Sequence, residues 1–153
     1  MTLSTRSTVP FASPSGRILA IDYGEKRIGL AISDEMGLTA QPLQTLQRTN
    51  RRNDIRRLRE IARKSSVRRI VVGHPVHLDG TESEMAAEAT RFAARLRKEL
   101  GLPVELADER LSSWEAEQVL AEAGKKKQVG DAVDHVAAAV ILRDYLARAK
   151  SKS

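Results

Sequence analysis

The sequence predicts an α/β domain built on a mixed sheet, and three observations lead there. Arg17–Tyr23 (RILAIDY) is a nearly continuous apolar run of strand length, as expected for a central strand covered on both faces. Only Gly24, Glu25 and Lys26 separate it from a second such run, Arg27–Ser33, so the domain opens with an antiparallel hairpin. Segments of helical periodicity then separate the later strands, and right-handed helical crossovers make those strands parallel to the first.

The remaining elements follow in order. Pro42–Leu46 reads as a third strand completing a meander, with Pro42 restricting it to an edge or a strand start. Asn53–Lys64 repeats Ile55, Leu58, Ile61 and Ala62 at helical spacing, with arginines filling the other positions. Arg69–Gly73 (RIVVG) is a short β-branched run, hence a buried strand. Thr81–Leu100 follows as a helix with Met85, Ala89, Phe92 and Leu96 on one face, a capping box at Thr81 and Glu84, and Gly101 as its stop. Val104–Asp108 is the next strand. Ser112 and Glu115 repeat the capping box for a helix ending at Gly124, and after the Lys125–Lys127 loop a last helix runs from about Asp131 to Ala149. Residues 1–16, rich in Ser, Thr and Pro and lacking the apolar segment of a signal peptide, read as a disordered tail; 17–149 form one domain and 150–153 a C-terminal tail.

Composition narrows the function classes. A chain of 153 residues buries one real core but cannot form two nucleotide-binding lobes facing each other, which sets aside an actin-like phosphotransferase despite the similar Asp-x-Gly turn at Asp22–Gly24. Cysteine is absent, excluding disulfides and thiolate metal sites and agreeing with a reducing cytoplasm. No apolar run approaches the ~20 residues of a membrane span. The net charge of +6 favours anionic partners, and its distribution is sharper than its sum. Between Arg48 and Arg69 lie ten basic and two acidic residues, a local excess of eight that is larger than the total. A solvated face would suffice for a few of these charges; so many together are self-repelling and point to a polyanion, with Arg52, Arg56, Arg59 and Arg63 as candidate contacts, Arg27 beside them, and Lys125 and Lys126 as an extension.

Three apolar runs end in acids: Asp22, the pair Asp108 and Glu109, and Asp134 near the start of the alanine-rich last helix. Parallel strands gather their carboxyl ends at one sheet edge, so these acids converge into a cluster able to hold divalent metal against a phosphodiester. Asp134 shares a helical stripe with Ala138, Ile141 and Tyr145, and a carboxylate on an apolar face is costly unless paired or bound to metal. Strand alternation puts Asp108 with Val104 and Leu106 and turns Glu109 the other way, leaving either as the ligand. Asp131, one turn before Asp134, reads more simply as the expected N-cap of the last helix. Gly24 and Gly73, at strand ends, would let a phosphate approach the backbone. His74 and His77 have no third soft ligand and do not make a zinc site.

Taken together, Ile21-Asp22-Tyr23-Gly24-Glu25-Lys26-Arg27-Ile28-Gly29 with Ala31-Ile32-Ser33-Asp34, Val71-Val72-Gly73-His74-Pro75 with Asp79-Gly80-Thr81-Glu82, Asp108-Glu109-Arg110-Leu111-Ser112, and Val133-Asp134 with Ala137-Ala138 and Ile141-Leu142 closely resemble the bacterial YqgF (RuvX) family. The match runs in order from about Gly16 to Ala149. It implies a ribonuclease-H-like fold, a five-stranded mixed sheet of order 3-2-1-4-5 flanked by helices, related to the RuvC Holliday-junction resolvases. It further implies a cytoplasmic nuclease maturing the 5′ end of pre-16S rRNA, with Asp22, the acidic pair Asp108-Glu109 and Asp134 carried over as catalytic and metal-binding positions. Two features depart from the family pattern: His74, where Leu usually stands between Gly and Pro, and the sixteen-residue leader.

The expected reaction is phosphodiester hydrolysis with Mg²⁺ or Mn²⁺ held by Asp22, Glu109 or Asp108, and Asp134, on structured RNA or branched DNA, by a monomer or weak homodimer without membrane contact. The alternatives are a Holliday-junction resolvase and a non-catalytic RNA-binding assembly factor.

Overall fold

The computed structural model describes residues 16–75, 83–108 and 131–151. Within them lie β1 (Arg17–Tyr23), β2 (Arg27–Ser33), β3 (Ala40–Gln47), α1 (Arg51–Lys64), β4 (Val67–His74), α2 (Glu84–Leu100), β5 (Val104–Asp108) and α3 (Asp131–Ser151). The five strands form one sheet in the order β3-β2-β1-β4-β5. β1 pairs antiparallel with β2 and parallel with β4, β2 antiparallel with β3, and β4 parallel with β5. The architecture and strand order expected from sequence are those observed.

Each face of the sheet is covered by different helices, and the alternation along β1 shows how. Leu19, Ile21 and Tyr23 pack with Ile55 and Leu58 of α1 and with Ala89, Phe92 and Leu96 of α2. Ile18 and Ala20, pointing the other way, pack with Ala138, Ile141 and Leu142 of α3. A strand buried on both sides needs apolar residues at every position, which is why RILAIDY shows so little alternation. β3, at the edge and largely exposed, is more polar, and its Pro42 sits where the β2–β3 register shifts, so the missing N–H interrupts a ladder already broken there.

Helix boundaries differ from the sequence expectation where two polar residues compete to cap. α1 begins two residues earlier than Asn53, because Asn50 is the N-cap and accepts from the Asn53 amide at 2.9 Å. α2 begins at Glu84, three residues after the expected start. Ser83 is its cap, accepting from the Ala86 amide at 3.0 Å while its hydroxyl donates to the Pro75 carbonyl at 2.7 Å. That second bond ties the helix start to the end of β4, which spacing alone could not reveal. Gly101 closes α2 in the left-handed conformation (φ 71°), as expected. α3 continues to Ser151, two residues into the stretch read as a tail. The expected helix at 112–124, the lysine loop and the N-terminal tail before Gly16 lie outside the described residues.

Two carboxylates secure the connections. Asp54, 3% exposed, accepts from the Thr49 amide and hydroxyl and from Arg57 Nη2 at 2.9 Å, while the same Arg57 nitrogen donates to the Gln47 carbonyl. This joins the end of β3 to α1. Asp34 accepts from the amides of Met36, Leu38 and Thr39 at 3.1, 2.7 and 2.8 Å, closing the β2–β3 turn. Those amides, Thr39 foremost, hold its carboxyl below the usual 3.8.

Asp54→Ala removes one partner of a mostly buried ion pair and leaves the Thr49 donors unmatched, so urea unfolding is expected to show a loss of about 3 kcal/mol. The Asp34 contribution has the opposite pH sense from a raised base: it is present above pH 3.8 and is lost as pH falls through the lowered folded value. The difference in thermal midpoint between wild type and Asp34→Ala is therefore expected at neutral pH and should vanish in strong acid.

Candidate active site

β1 ends with Asp22 between Ile21 and Tyr23, whose side chains enter the α1/α2 core. Alternation therefore turns Asp22 to the α3 face, where it is partly exposed. Its neighbours across the sheet lack side chains. Asp22 pairs with Gly29 of β2, and since Ile21 pairs with Val72, Gly73 follows beside it on β4. The carboxylate thus stands between two buried glycines in a row that continues to Thr45 on one side and Ala107 on the other. Gly73, expected to matter for backbone approach, lies beside the acid.

The N-terminal end of α3 crosses this same row. His135 Nδ1 and Thr45 Oγ1 are 3.0 Å apart, and Thr45 is two strands from Asp22, roughly 10 Å at the ~4.8 Å strand spacing. At its other end α3 meets the opposite sheet edge, where Tyr145 donates to Glu105 at 3.2 Å and burial foremost pushes the Tyr145 phenol up. Asp134 immediately precedes His135, so the helix backbone brings this position to the carboxyl edge on the Asp22 face; its side chain lies outside the described parts. Ala138 and Ile141, on the stripe expected with Asp134, are buried against the sheet.

Of the acidic pair, Asp108 is the member that lies among the described residues. Val104 packs toward α1 and α2 and Ala107 toward α3, so Asp108, exposed and paired in register with His74, is on the α1/α2 side, away from Asp22. Leu106, on the same face, is 38% exposed, β5 being the edge strand of the sheet. Glu109, Arg110, His77, Lys125 and Lys126 lie outside the described residues. Among the described residues no three His, Cys, Asp or Glu side chains come close enough to hold a metal ion. The donor set that the sequence supplies is all carboxylate oxygen and contains no thiolate, which suits a hard cation such as Mg²⁺ or Mn²⁺.

The turn after Asp22 is held by a residue whose role was hidden in the charge run. Arg48 Nη1 donates to the carbonyls of Gly24 at 2.8 Å and Glu25 at 3.0 Å, and its guanidinium lies 4.4 Å from the centre of the Tyr23 ring. Tyr23 in turn stacks on Phe92 at 4.1 Å. Burial pushes the Tyr23 phenol up, with Arg48 pulling against it. A side chain on Gly24 would place its Cβ 2.9 Å from the Arg27 carbonyl oxygen, so the tight turn itself requires this glycine.

Electrostatics favour an anion at this edge. β1, β3 and β4 end here, and α1 and α2 start here after short connections, so their positive dipole ends gather with that of α3. On α1 the arginines at 52, 56, 59 and 63 follow one stripe that runs beside the buried Ile55, Leu58 and Ala62, and each close pair of like charges costs ~0.2–0.5 kcal/mol. Three other cations of the basic stretch have internal duties: Arg48 on the turn, Arg57 on Asp54, and Arg69 on Glu105 at 2.5 Å.

Comparison with known proteins agrees with the geometry. A family model described as RuvX, Holliday junction resolvase, matches residues 16–148. A Koribacter versatilis protein named "Putative pre-16S rRNA nuclease" is 49% identical over 134 residues, 87% of this chain and 88% of that one. A Geobacillus kaustophilus protein of the same name is 47% identical, covering 85% and 96%. Among solved structures, Thermus thermophilus RuvC in complex with a Holliday junction superposes with a TM-score of 0.52 at 16% identity, covering 88% of this chain and 96% of RuvC. That likeness establishes a shared ribonuclease-H-like fold.

Gly24→Ala forces the turn after Asp22 to move against backbone, and a loss of about 1–3 kcal/mol is expected in chemical denaturation.

Proposed function

The chain belongs to the RuvX family, and from that premise we propose that it is a divalent-metal-dependent nuclease that trims the 5′ end of pre-16S rRNA in the cytoplasm. One observation carries the reading: Asp22 stands between Gly29 and Gly73 at the carboxyl edge, on the face crossed by the start of α3. An acid at that place, with bare backbone on either side and helix N-termini around it, suits a polyanion brought against a cation. The names of the relatives supply the substrate, and they favour rRNA over branched DNA.

The residues that would hold the metal are Asp22, Asp134 and Glu109. Glu109 is preferred to Asp108 because Asp108 lies on the opposite face from Asp22. Bound there, Mg²⁺ or Mn²⁺ would supply a water nucleophile at neutral pH and charge stabilisation for the leaving oxygen. The protein's part is positional. β1 holds the Asp22 carboxylate, Arg48 fixes the turn that follows it, and Gly29 and Gly73 leave room for a phosphate. No side-chain nucleophile is required, in keeping with a chain that has no cysteine.

Asp22→Ala and Asp134→Ala are each expected to lower cleavage of a precursor rRNA fragment by on the order of 10³-fold, equivalent to about 4 kcal/mol of transition-state stabilisation, with RNA binding largely kept. Normal cutting by either variant defeats the assignment. Cutting of four-way DNA junctions in preference to the RNA would transfer the site to a resolvase, and binding with no cleavage in any metal would leave an assembly factor.

A further inference from the structure

We infer that the groove between α1 and α2 seats the sugar-phosphate backbone of the RNA strand leading away from the cleavage site, on the opposite side of the sheet from Asp22. The inference rests on the nuclease reading and extends it from the cleaved bond to the flanking strand. The groove has a volume of about 350 Å³ and is lined by Arg51, Arg52, Arg56 and Arg59 of α1 and Arg95 of α2, with Ile55 and Glu99. Five guanidinium groups thus face one carboxylate.

Three of these five arginines are not accounted for by the fold. Arg59 donates to the Glu99 carbonyl at 3.0 Å and Arg56 to Asn53, but Arg51, Arg52 and Arg95 are exposed and make no hydrogen bond or ion pair among the described residues. Arg51 and Arg52 also occupy the first turn of α1, where the helix dipole disfavours cations. Arg95, contributed by a helix forty residues further along the chain, completes the same concave surface. Two separate elements converge to concentrate a charge that stability alone would disperse.

The chemistry points to phosphate. A guanidinium fork matches phosphate oxygens in pairs, and no aromatic side chain lines the groove to stack a base, so it would grip backbone without reading sequence. From Arg51 to Arg59 the helix rises ~12 Å, enough for three or four phosphates at ~3.4 Å each along a stacked strand. Ile55, in the groove, belongs to the core that also holds Ile21 and Tyr23, whereas Asp22 faces α3. A helix layer and the sheet lie between groove and acid, roughly 15 Å or about four nucleotides at ~3.4 Å each. Both begin at the same sheet edge, since α1 starts directly after the end of β3. A strand crossing that edge would meet Arg51 and Arg52 first.

The test is the salt dependence of binding between the full chain and a fluorescein-labelled 20-nucleotide single-stranded RNA, read by anisotropy in EDTA. The triple variant Arg51→Gln, Arg52→Gln, Arg95→Gln should lose about two from the slope of log affinity against log salt, three phosphates at ~0.7 each. The matching triple Lys variant should keep the wild-type slope, separating lost charge from misfolding. Equal slopes in wild type and Gln variant overturn the proposal, as does a polyglutamate of similar length binding the wild type as tightly as the RNA. An inactive protein that keeps the slope difference overturns the nuclease reading alone.

Discussion

Asp22 is held in place by a strand that has no freedom to move. β1 is hydrogen-bonded along both edges and buried on both faces, so its register is set by β2, β4 and two separate cores at once. Slipping by one residue would exchange the contents of those cores and send Asp22 into the α1/α2 interior. Burying an unpaired carboxylate among Phe92 and Leu96 is prohibitive, so the position of the acid and the stability of the sheet are a single constraint.

From this constraint the site's surroundings follow. Because β4 and β5 run parallel to β1, their ends share its edge, and the helices of the crossovers begin there. The residues beside Asp22 are small: Gly29 and Gly73 flank it without side chains, and the buried Ala138 lets α3 lie close to the sheet. Arg48 then pins the turn, using one guanidinium for two carbonyls and an aromatic face. Charge that would otherwise count as generic basicity is partly structural, and another part of it lines the groove between α1 and α2.

The family likeness and the fold are two separate lines, one from sequence and one from strand topology. Relatives nearly half identical along most of the chain carry nuclease names, while the fold shared with RuvC places the ends of parallel strands where ions and phosphates can be brought together. The sheet organises the edge; the chemistry belongs to the residues standing on it.

Much of this was legible in the linear chain. Continuous apolar runs identified the central strands, Pro42 identified the edge, Gly101 the end of α2, and Asp22 stood out as the acid that interrupts the end of an apolar run. These are local signals, carried by periodicity and by single residues with restricted backbones. Other features needed the folded chain. Ser83, not Thr81, caps α2 because the Pro75 carbonyl lies within reach of its hydroxyl; Leu106 is exposed on β5, the edge strand among the described residues; Asp108 and Asp22 occupy opposite faces because pairing sets which way each strand's alternation points. The split of the arginines into pins, ion-pair partners and groove residues was likewise decided by contacts up to 40 residues apart. Local sequence sets each residue's conformational preference, but which neighbour lies across a sheet or between two helices is a property only the assembled core can fix.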